Sequence, residues 1–221
     1  MNTLVKTTDI FALKIYEAEF KDYANIQTAL LDHIASNFIS EPSNDWAGRA
    51  HPLSVGAVTS IYDKFIYHKE DKTINDPNLQ LVFDWITEHG KEYWKILNLS
   101  QYLNPYILQL IGTETARGGF VASHNHNPVP IAGVFYLKAS PNLGNLFLEN
   151  PLDLILGKGA NHIDSRIPTT FNYEVEALSG KLVLFPGWMK HFTKPNPTDE
   201  VRMSMAVNFG CEGQVYFTEF T

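Results

Sequence analysis

Two segments in the first half of the chain carry apolar residues at the spacing of an amphipathic helix. In residues 21–38 the apolar side chains recur every three or four positions, which predicts a helix with one buried face. Residues 75–97 repeat this pattern, and Pro77 fits the first turn of the second helix. Gly90 is a candidate kink inside it.

The pattern around and after these helices is different. Residues 9–20 predict a first strand, and residues 39–52 predict a loop because two prolines interrupt them. From residue 106 apolar and polar positions alternate in short runs, separated by Gly, Pro and Asn, which is typical of β-strands. The runs are YILQLIGTETA, GGFVASH, PIAGVFYLKA, GNLFLENP, FNYEVEAL, GKLVLFPG, VRMSMAVNFG and GQVYFTEF.

So many short strands with turn signals between them favour a β-sandwich or barrel. We therefore predict a mostly β (α+β) fold in a single domain of residues 1–221. The N-terminal strand and helices, residues 1–105, would cover a β-sandwich core, residues 106–221. Residues 152–171 break the strand rhythm and predict a long loop, a feature that is often functional in compact domains.

Composition and charge argue against several classes of partner and compartment. The net charge is −7 and the sequence has no block of Lys and Arg, which argues against nucleic acid as a partner. The single cysteine, Cys211, excludes an internal disulfide and fits a reducing compartment. The N-terminus lacks the apolar core of a signal peptide, and no run approaches the roughly 20 apolar residues that span a bilayer. We expect a cytoplasmic protein with no membrane partner.

His124 and His126 begin the candidate chemistry. Residues i and i+2 of a strand point to the same face, so the two imidazoles project together if this segment ends a strand. His191 follows another strand and a Pro-Gly turn, and it is the best third ligand. Most His-x-His pairs are ordinary polar residues, and this alternative stays open for the pair alone.

Arg202 and Ser204 share a face of a later strand by the same period. An arginine in an apolar strand is costly unless it is paired, and its guanidinium can bind a carboxylate through two parallel hydrogen bonds. A salt bridge at the strand end is the alternative. With three histidines upstream, a bound organic acid beside a metal is the better interpretation.

The combination HNH, GKLVLFPGWMKH and RMS resembles the iron(II)- and 2-oxoglutarate-dependent oxygenases. More narrowly, it is similar to a branch of oxygenases from marine bacteria and their phages. In that branch H-x-H precedes a strand like AGVFYL, Ala132–Leu137, and R-x-S is followed by an N-F pair, here Asn208 and Phe209. The resemblance covers residues 120–209 and extends weakly to the first strand and helix.

The resemblance implies a double-stranded β-helix, a jelly roll of the cupin type. It makes His124 the first ligand of a catalytic Fe(II) and His191 the distal one, with His126 where the wider superfamily has Asp or Glu. It also implies that Arg202, assisted by Ser204, pairs with the far carboxylate of the cosubstrate 2-oxoglutarate. Tyr136, on the neighbouring strand, is a further candidate contact.

His126 is the departure from the wider pattern. A neutral imidazole there replaces an anion, so the site would carry one more positive charge, and iron can bind three imidazoles. Glu149, Asp153 and Asp164 could offer a carboxylate from the nearby loop, but none has the spacing of a motif.

The implied activity is hydroxylation of a peptide side chain or a small metabolite. The cytoplasm would be bacterial, or that of the host if a phage encodes the chain, and a homodimer is left open. One alternative is a cupin-like dioxygenase with three histidines and no 2-oxoglutarate. Another is a non-catalytic β-sandwich that binds ligands without oxygen chemistry.

Overall fold

A computed structural model describes residues 13–37, 74, 76–151 and 172–213, and the backbone of four short strands between residues 41 and 68. In chain order the elements are β1 (Tyr16–Glu19), α1 (Tyr23–Asn37), β2 (Glu41–Pro42), β3 (Ser54–Val55), β4 (Val58–Ser60), β5 (Tyr67–His68), α2 (Pro77–Ile96), β6 (Pro105–Thr115), β7 (Phe120–Val121), β8 (Ile131–Lys138), β9 (Leu146–Leu148), β10 (Tyr173–Val175), β11 (Lys181–Pro186), β12 (His191–Thr193) and β13 (Arg202–Cys211).

Both predicted helices are present. Helix α2 begins where the Asp76 carboxylate accepts hydrogen bonds from the backbone amides of Asn78 and Leu79, with Pro77 in the first turn. The helix runs on through Gly90, whose backbone lies against the ring of Phe209. A β-carbon at position 90 would come within 2.1 Å of that ring, so this glycine permits close packing of helix on sheet.

An antiparallel eight-stranded sheet forms the centre of the fold. Its order is β1-β11-β8-β13-β6-β4-β2, and β5 also pairs with β6. A smaller sheet has the order β10-β9-β12, and β3 pairs with β7. Strand β13 pairs with β8 along one edge and with β6 along the other for most of its length, so it lies in the interior of the sheet.

The large sheet separates two apolar cores. One face packs against α1 and α2 in a cluster that includes Leu30, Ile86, Met205 and Phe209. The other cluster joins the large sheet to the small one and contains Tyr136 and other residues of β8, β9, β10 and β11. The prediction of a mostly β fold with N-terminal helices packed on the sheet is confirmed.

The sequence missed the short strands of the N-terminal half. The loop predicted at residues 39–52 contains β2, and β3, β4 and β5 were not predicted, because two or three residues are too few for alternation to appear. The first strand is shorter than the prediction of 9–20. The predicted loop at 152–171 and nearly all of the last predicted strand lie outside the described residues. Among the described helices, none has both the length and the apolar character needed to cross a membrane.

Candidate metal and cosubstrate site

Three histidine rings meet at one end of the space between the two sheets. His124, His126 and His191 each offer a ring nitrogen, and these atoms lie within 4.8 Å of one another. His191 begins β12, and its backbone exchanges two hydrogen bonds with His124, of 3.0 and 2.9 Å. This bridge joins the H-x-H segment to the small sheet and brings together side chains that are far apart in the sequence.

Hydrogen bonds from Nδ1 turn two of these rings toward the centre of the cluster. The Nδ1 of His124 lies 2.8 Å from the carbonyl oxygen of Ala122, and that of His191 lies 3.0 Å from the carbonyl oxygen of Met189. A carbonyl oxygen only accepts, so both Nδ1 atoms carry the proton and donate. In the neutral rings each Nε2 is therefore left with a lone pair.

The ring of His126 is oriented in the same way, but its Nδ1 faces a side chain instead of a backbone carbonyl. Its Nδ1 lies 2.7 Å from Oδ1 of Asn208, and its Nε2 lies 3.1 Å from Nε2 of His124. Metal–nitrogen bonds of about 2.1 Å place two ligand nitrogens about 3.0 to 3.4 Å apart at octahedral to tetrahedral angles. Two lone pairs at this separation repel each other unless a cation lies between them, so the residues fit a bound metal.

Burial keeps these rings in the form that binds metal. Burial and the neighbouring His124 lower the pKa of His126 to about 4, against the weaker opposing effect of its hydrogen bond with Asn208. Burial lowers the pKa of His191 well below its ordinary value, with further contributions from the other two rings. Both imidazoles are therefore neutral at pH 7, as metal ligands must be.

Arg202 lies at the start of β13, with only 2% of its surface exposed. One terminal nitrogen donates to the carbonyl oxygens of Leu143 and Gly144. The other donates to the hydroxyls of Thr115 and Thr193, at 3.3 and 3.4 Å. Every one of these partners is neutral, and burial lowers the pKa of the guanidinium.

The charge of Arg202 is not matched within the described part of the chain. None of the ion pairs among those residues includes it, and its Nε has no hydrogen-bond partner there. Thr193, which accepts from it, lies two residues after His191 on β12, at a distance of about 7 Å along the strand. A buried cation so close to the histidine cluster fits a carboxylate ligand that bridges the two.

Ser204 and Tyr136 lie opposite each other on neighbouring strands. The Ser204 hydroxyl is 3.1 Å from the hydroxyl of Thr113, and Ser204 is 7% exposed. Tyr136 is buried in the core between the sheets, and burial raises its pKa to about 12 although Arg202 nearby acts in the opposite direction. The phenol is therefore a neutral donor at pH 7.

Sequence reasoning missed several polar side chains around these residues. Thr115 and Thr193 bind the guanidinium, and Asn208 holds His126. Asn208 had a signal in the sequence, because it shares the period-2 face of β13 with Arg202. The threonines had none, since their contacts depend on how separate strands pair.

The carboxylates considered from the sequence do not join the cluster. Glu149 accepts a hydrogen bond from the hydroxyl of Ser123, beside the H-x-H segment, but it is not among the residues that converge. Asp153 and Asp164 lie outside the described residues.

A family model described as "Putative 2OG-Fe(II) oxygenase" matches residues 113–208, the segment that carries all three histidines and Arg202. No curated protein matches the chain.

Several solved structures share the fold. A prolyl-4-hydroxylase from Pseudomonas putida is 13% identical, with 89% of this chain and 92% of that chain covered and a TM-score of 0.56. HygX from Streptomyces hygroscopicus, solved with nickel and 2-oxoglutarate, is 13% identical, with 90% and 83% covered and a TM-score of 0.56. A prolyl hydroxylase from Trichoplax adhaerens, in complex with a hypoxia inducible factor peptide fragment, is 12% identical, with 88% and 82% covered and a TM-score of 0.56. The predicted double-stranded β-helix is confirmed.

Proposed function

We propose that the chain is a 2OG-Fe(II) oxygenase, an enzyme that uses Fe(II) and 2-oxoglutarate, and that it hydroxylates a small molecule or a peptide side chain. His124, His126 and His191 hold the Fe(II) in this proposal. Arg202, with Ser204 and Tyr136, binds the cosubstrate.

One observation supports this assignment above the others. Three imidazoles bring ring nitrogens within 4.8 Å of one another, and a buried arginine with no carboxylate partner among the described residues lies close by. The first feature suits a divalent metal, and the second suits an organic acid that reaches from the metal to the guanidinium. A structural salt bridge within the described part of the chain does not account for Arg202, because its hydrogen bonds there are all to neutral oxygens.

The chain's own residues bind and orient the reactants. When bound, Fe(II) and 2-oxoglutarate supply the oxidation, in which dioxygen is divided between the hydroxylated product and the succinate left after loss of carbon dioxide. Arg202 fixes the far carboxylate, and the core around Tyr136 excludes water from it. Gly144, beside the guanidinium, has a φ of +86°, and a β-carbon there would lie 2.5 Å from the carbonyl oxygen of Lys194 and 3.2 Å from a terminal nitrogen of Arg202.

The substrate class rests on the neighbours and on the rim of the site. Two of the similar structures are prolyl hydroxylases, and one of them holds a peptide fragment. The backbone amide of His126 donates to the carbonyl of Gly187, so Trp188 follows directly beside the cluster, and this side chain is 43% exposed. An exposed indole at that place offers a surface on which a ring of the substrate can pack.

Anaerobic titration with Fe(II), with and without 2-oxoglutarate, tests the proposal. The wild-type chain is expected to bind Fe(II) and to develop a visible charge-transfer band when 2-oxoglutarate chelates the metal. Arg202→Met should bind Fe(II) but lose the band at the same cosubstrate concentration. Arg117→Met is the matched control, because Arg117 is exposed and pairs with Asp199 on the surface, so both signals should remain.

Two other results would assign a different function. Fe(II) binding by wild type with no band would indicate a cupin-like dioxygenase that works without 2-oxoglutarate, a candidate that the set of three histidines favours. No Fe(II) binding at all would leave a β-sandwich that binds ligands without oxygen chemistry.

A further inference from the structure

Two buried amide side chains connect His126 to the centre of the large sheet. Asn208 on β13 and Gln109 on β6 face each other in register, and they are 1% and 2% exposed. The Asn208 Nδ2 donates to Oε1 of Gln109 at 2.8 Å, and the Asn208 Oδ1 faces Nδ1 of His126 at 2.7 Å. Buried amides are costly unless their polar atoms are bonded, so this chain of contacts requires an explanation.

His126 differs from the other two histidines in the kind of partner it has. His124 and His191 donate to backbone carbonyls, which cannot donate in return, so their tautomer is fixed locally. An asparagine amide can present either its oxygen or its nitrogen to a ring. The tautomer of His126 therefore depends on which way Asn208 is turned.

Two arrangements of this chain are chemically consistent. With its oxygen toward the ring, Asn208 keeps the proton on Nδ1 of His126 and leaves a lone pair on Nε2. With the amide reversed, its nitrogen would donate to Nδ1, and the proton would sit on Nε2, pointing at His124 only 3.1 Å away. The second arrangement joins the two rings by a hydrogen bond and removes the lone pair that a metal needs.

We infer that Gln109 and Asn208 are positioning residues that select the metal-binding tautomer of His126. While Gln109 accepts from the Asn208 Nδ2, the amide oxygen of Asn208 faces the ring. The inference rests on the proposed function in one respect, that His126 is a ligand. An imidazole in place of the superfamily's carboxylate needs its tautomer fixed, because only one of its two tautomers leaves the lone pair on the nitrogen that faces the metal. A carboxylate binds with either oxygen and has no tautomer to select.

Nitrogen-15 NMR of the metal-free protein and anaerobic Fe(II) titration test this inference together. In wild type the His126 ring should carry its proton on Nδ1. Asn208→Leu, which removes both polar atoms, should shift the ring toward the form protonated on Nε2. It should also weaken Fe(II) binding by about 10- to 100-fold.

A conservative variant and a matched control separate positioning from packing. Asn208→Asp keeps an acceptor for Nδ1 of His126 and has no amide nitrogen to present to the ring, so the tautomer and the Fe(II) affinity should stay near wild type. Asn104→Leu removes an exposed asparagine far from the cluster and should change neither. If Asn208→Leu does not fold, Gln109→Met is measured instead, and we expect a smaller shift of His126 toward the form protonated on Nε2.

The outcomes are distinct. An Asn208→Leu variant that keeps the Nδ1 proton, or binds Fe(II) as wild type does, overturns the inference. So does an Asn208→Asp variant that binds as weakly as Asn208→Leu. If the wild type binds no Fe(II), the proposed function fails, and the tautomer of metal-free wild type and Asn208→Leu still decides the role of the amides.

Discussion

At the scale of single residues, the balance of charge at the histidine cluster is the notable feature. Among the described residues, the three side chains that converge are all imidazoles, so they contribute no negative charge. The carboxylate of Glu149 bonds to Ser123, beside the H-x-H segment, and does not join the cluster. A negatively charged cosubstrate would then supply all of the compensation for the metal and for Arg202.

Substitutions of the histidines should separate their contributions to metal binding. We expect His191→Ala to abolish Fe(II) binding and His126→Ala to weaken it, because each removes a lone pair from the cluster. His126→Asp should still bind, since it restores the carboxylate of the wider superfamily. Anaerobic Fe(II) titration measures all three, and His33→Ala on α1 serves as the control. Equal affinity in His126→Ala and wild type would show that His126 is not a ligand.

The lowered pKa of His126 predicts how the metal-free protein responds to acid. Between its ordinary value of 6.5 and its folded value of about 4, the unfolded chain takes up a proton that the folded chain does not. The stability present above pH 6.5 is therefore lost as the pH falls through this window, by up to about 2 kcal/mol between pH 7 and 5 for this group. Urea unfolding in the presence of a chelator measures the effect.

His126→Gln is the control for that experiment, because glutamine does not titrate. Its free energy of unfolding should fall less steeply between pH 7 and 5 than that of wild type. Identical slopes would mean that His126 has the same pKa in the folded and unfolded chains.

At the scale of elements, β13 shows what could be predicted from the sequence and what could not. Its period of two placed Arg202 and Ser204 on one face, and both are buried there, away from the helix-packed side of the sheet that includes Met205. Histidine spacing and the Pro-Gly turn likewise predicted that the three rings converge. The role of Asn208 could not be predicted, because it depends on the register that sets Gln109 opposite it.

The packing of α2 on the sheet gives a prediction at this scale. Gly90→Ala would normally favour a helix by roughly 1 kcal/mol, but here the added methyl group meets the ring of Phe209. We expect a net destabilisation of about 1 to 3 kcal/mol in urea unfolding. Combining it with Phe209→Leu should recover part of the loss relative to the two single variants added together. A Gly90→Ala variant more stable than wild type would contradict the packing described here.

At the scale of the whole molecule, one sheet serves two purposes. Its helix-covered face is apolar, whereas its other face combines a second apolar cluster with the buried arginine, hydroxyl and amide groups. The polar groups of the site are thus supported by a scaffold that does not depend on them. We expect ligand-site variants to fold, with the exception of those that leave a buried group unpaired.

Removal of the metal should lower the stability of the whole molecule. A ligand at 100 times its dissociation constant stabilises the folded state by about 2.7 kcal/mol, and Fe(II) with 2-oxoglutarate should do so here. Thermal unfolding under anaerobic conditions, before and after addition of a chelator, measures the difference. His191→Ala should unfold at the same temperature in both conditions, and a shift as large as that of wild type would argue against binding at this cluster.

The backbone bridge between His124 and His191 has a consequence for how this scaffold can diversify. Because the backbones of His124 and His191 are hydrogen-bonded to each other, both ends of the segment 125–190 are fixed at the cluster. Lengthening a flexible loop inside such a segment raises the free-energy cost of closing it by only about 0.6 kcal/mol for each doubling of its length. Insertions and deletions in its loops can therefore accumulate over evolutionary time while the backbone positions of His124 and His191 are inherited unchanged.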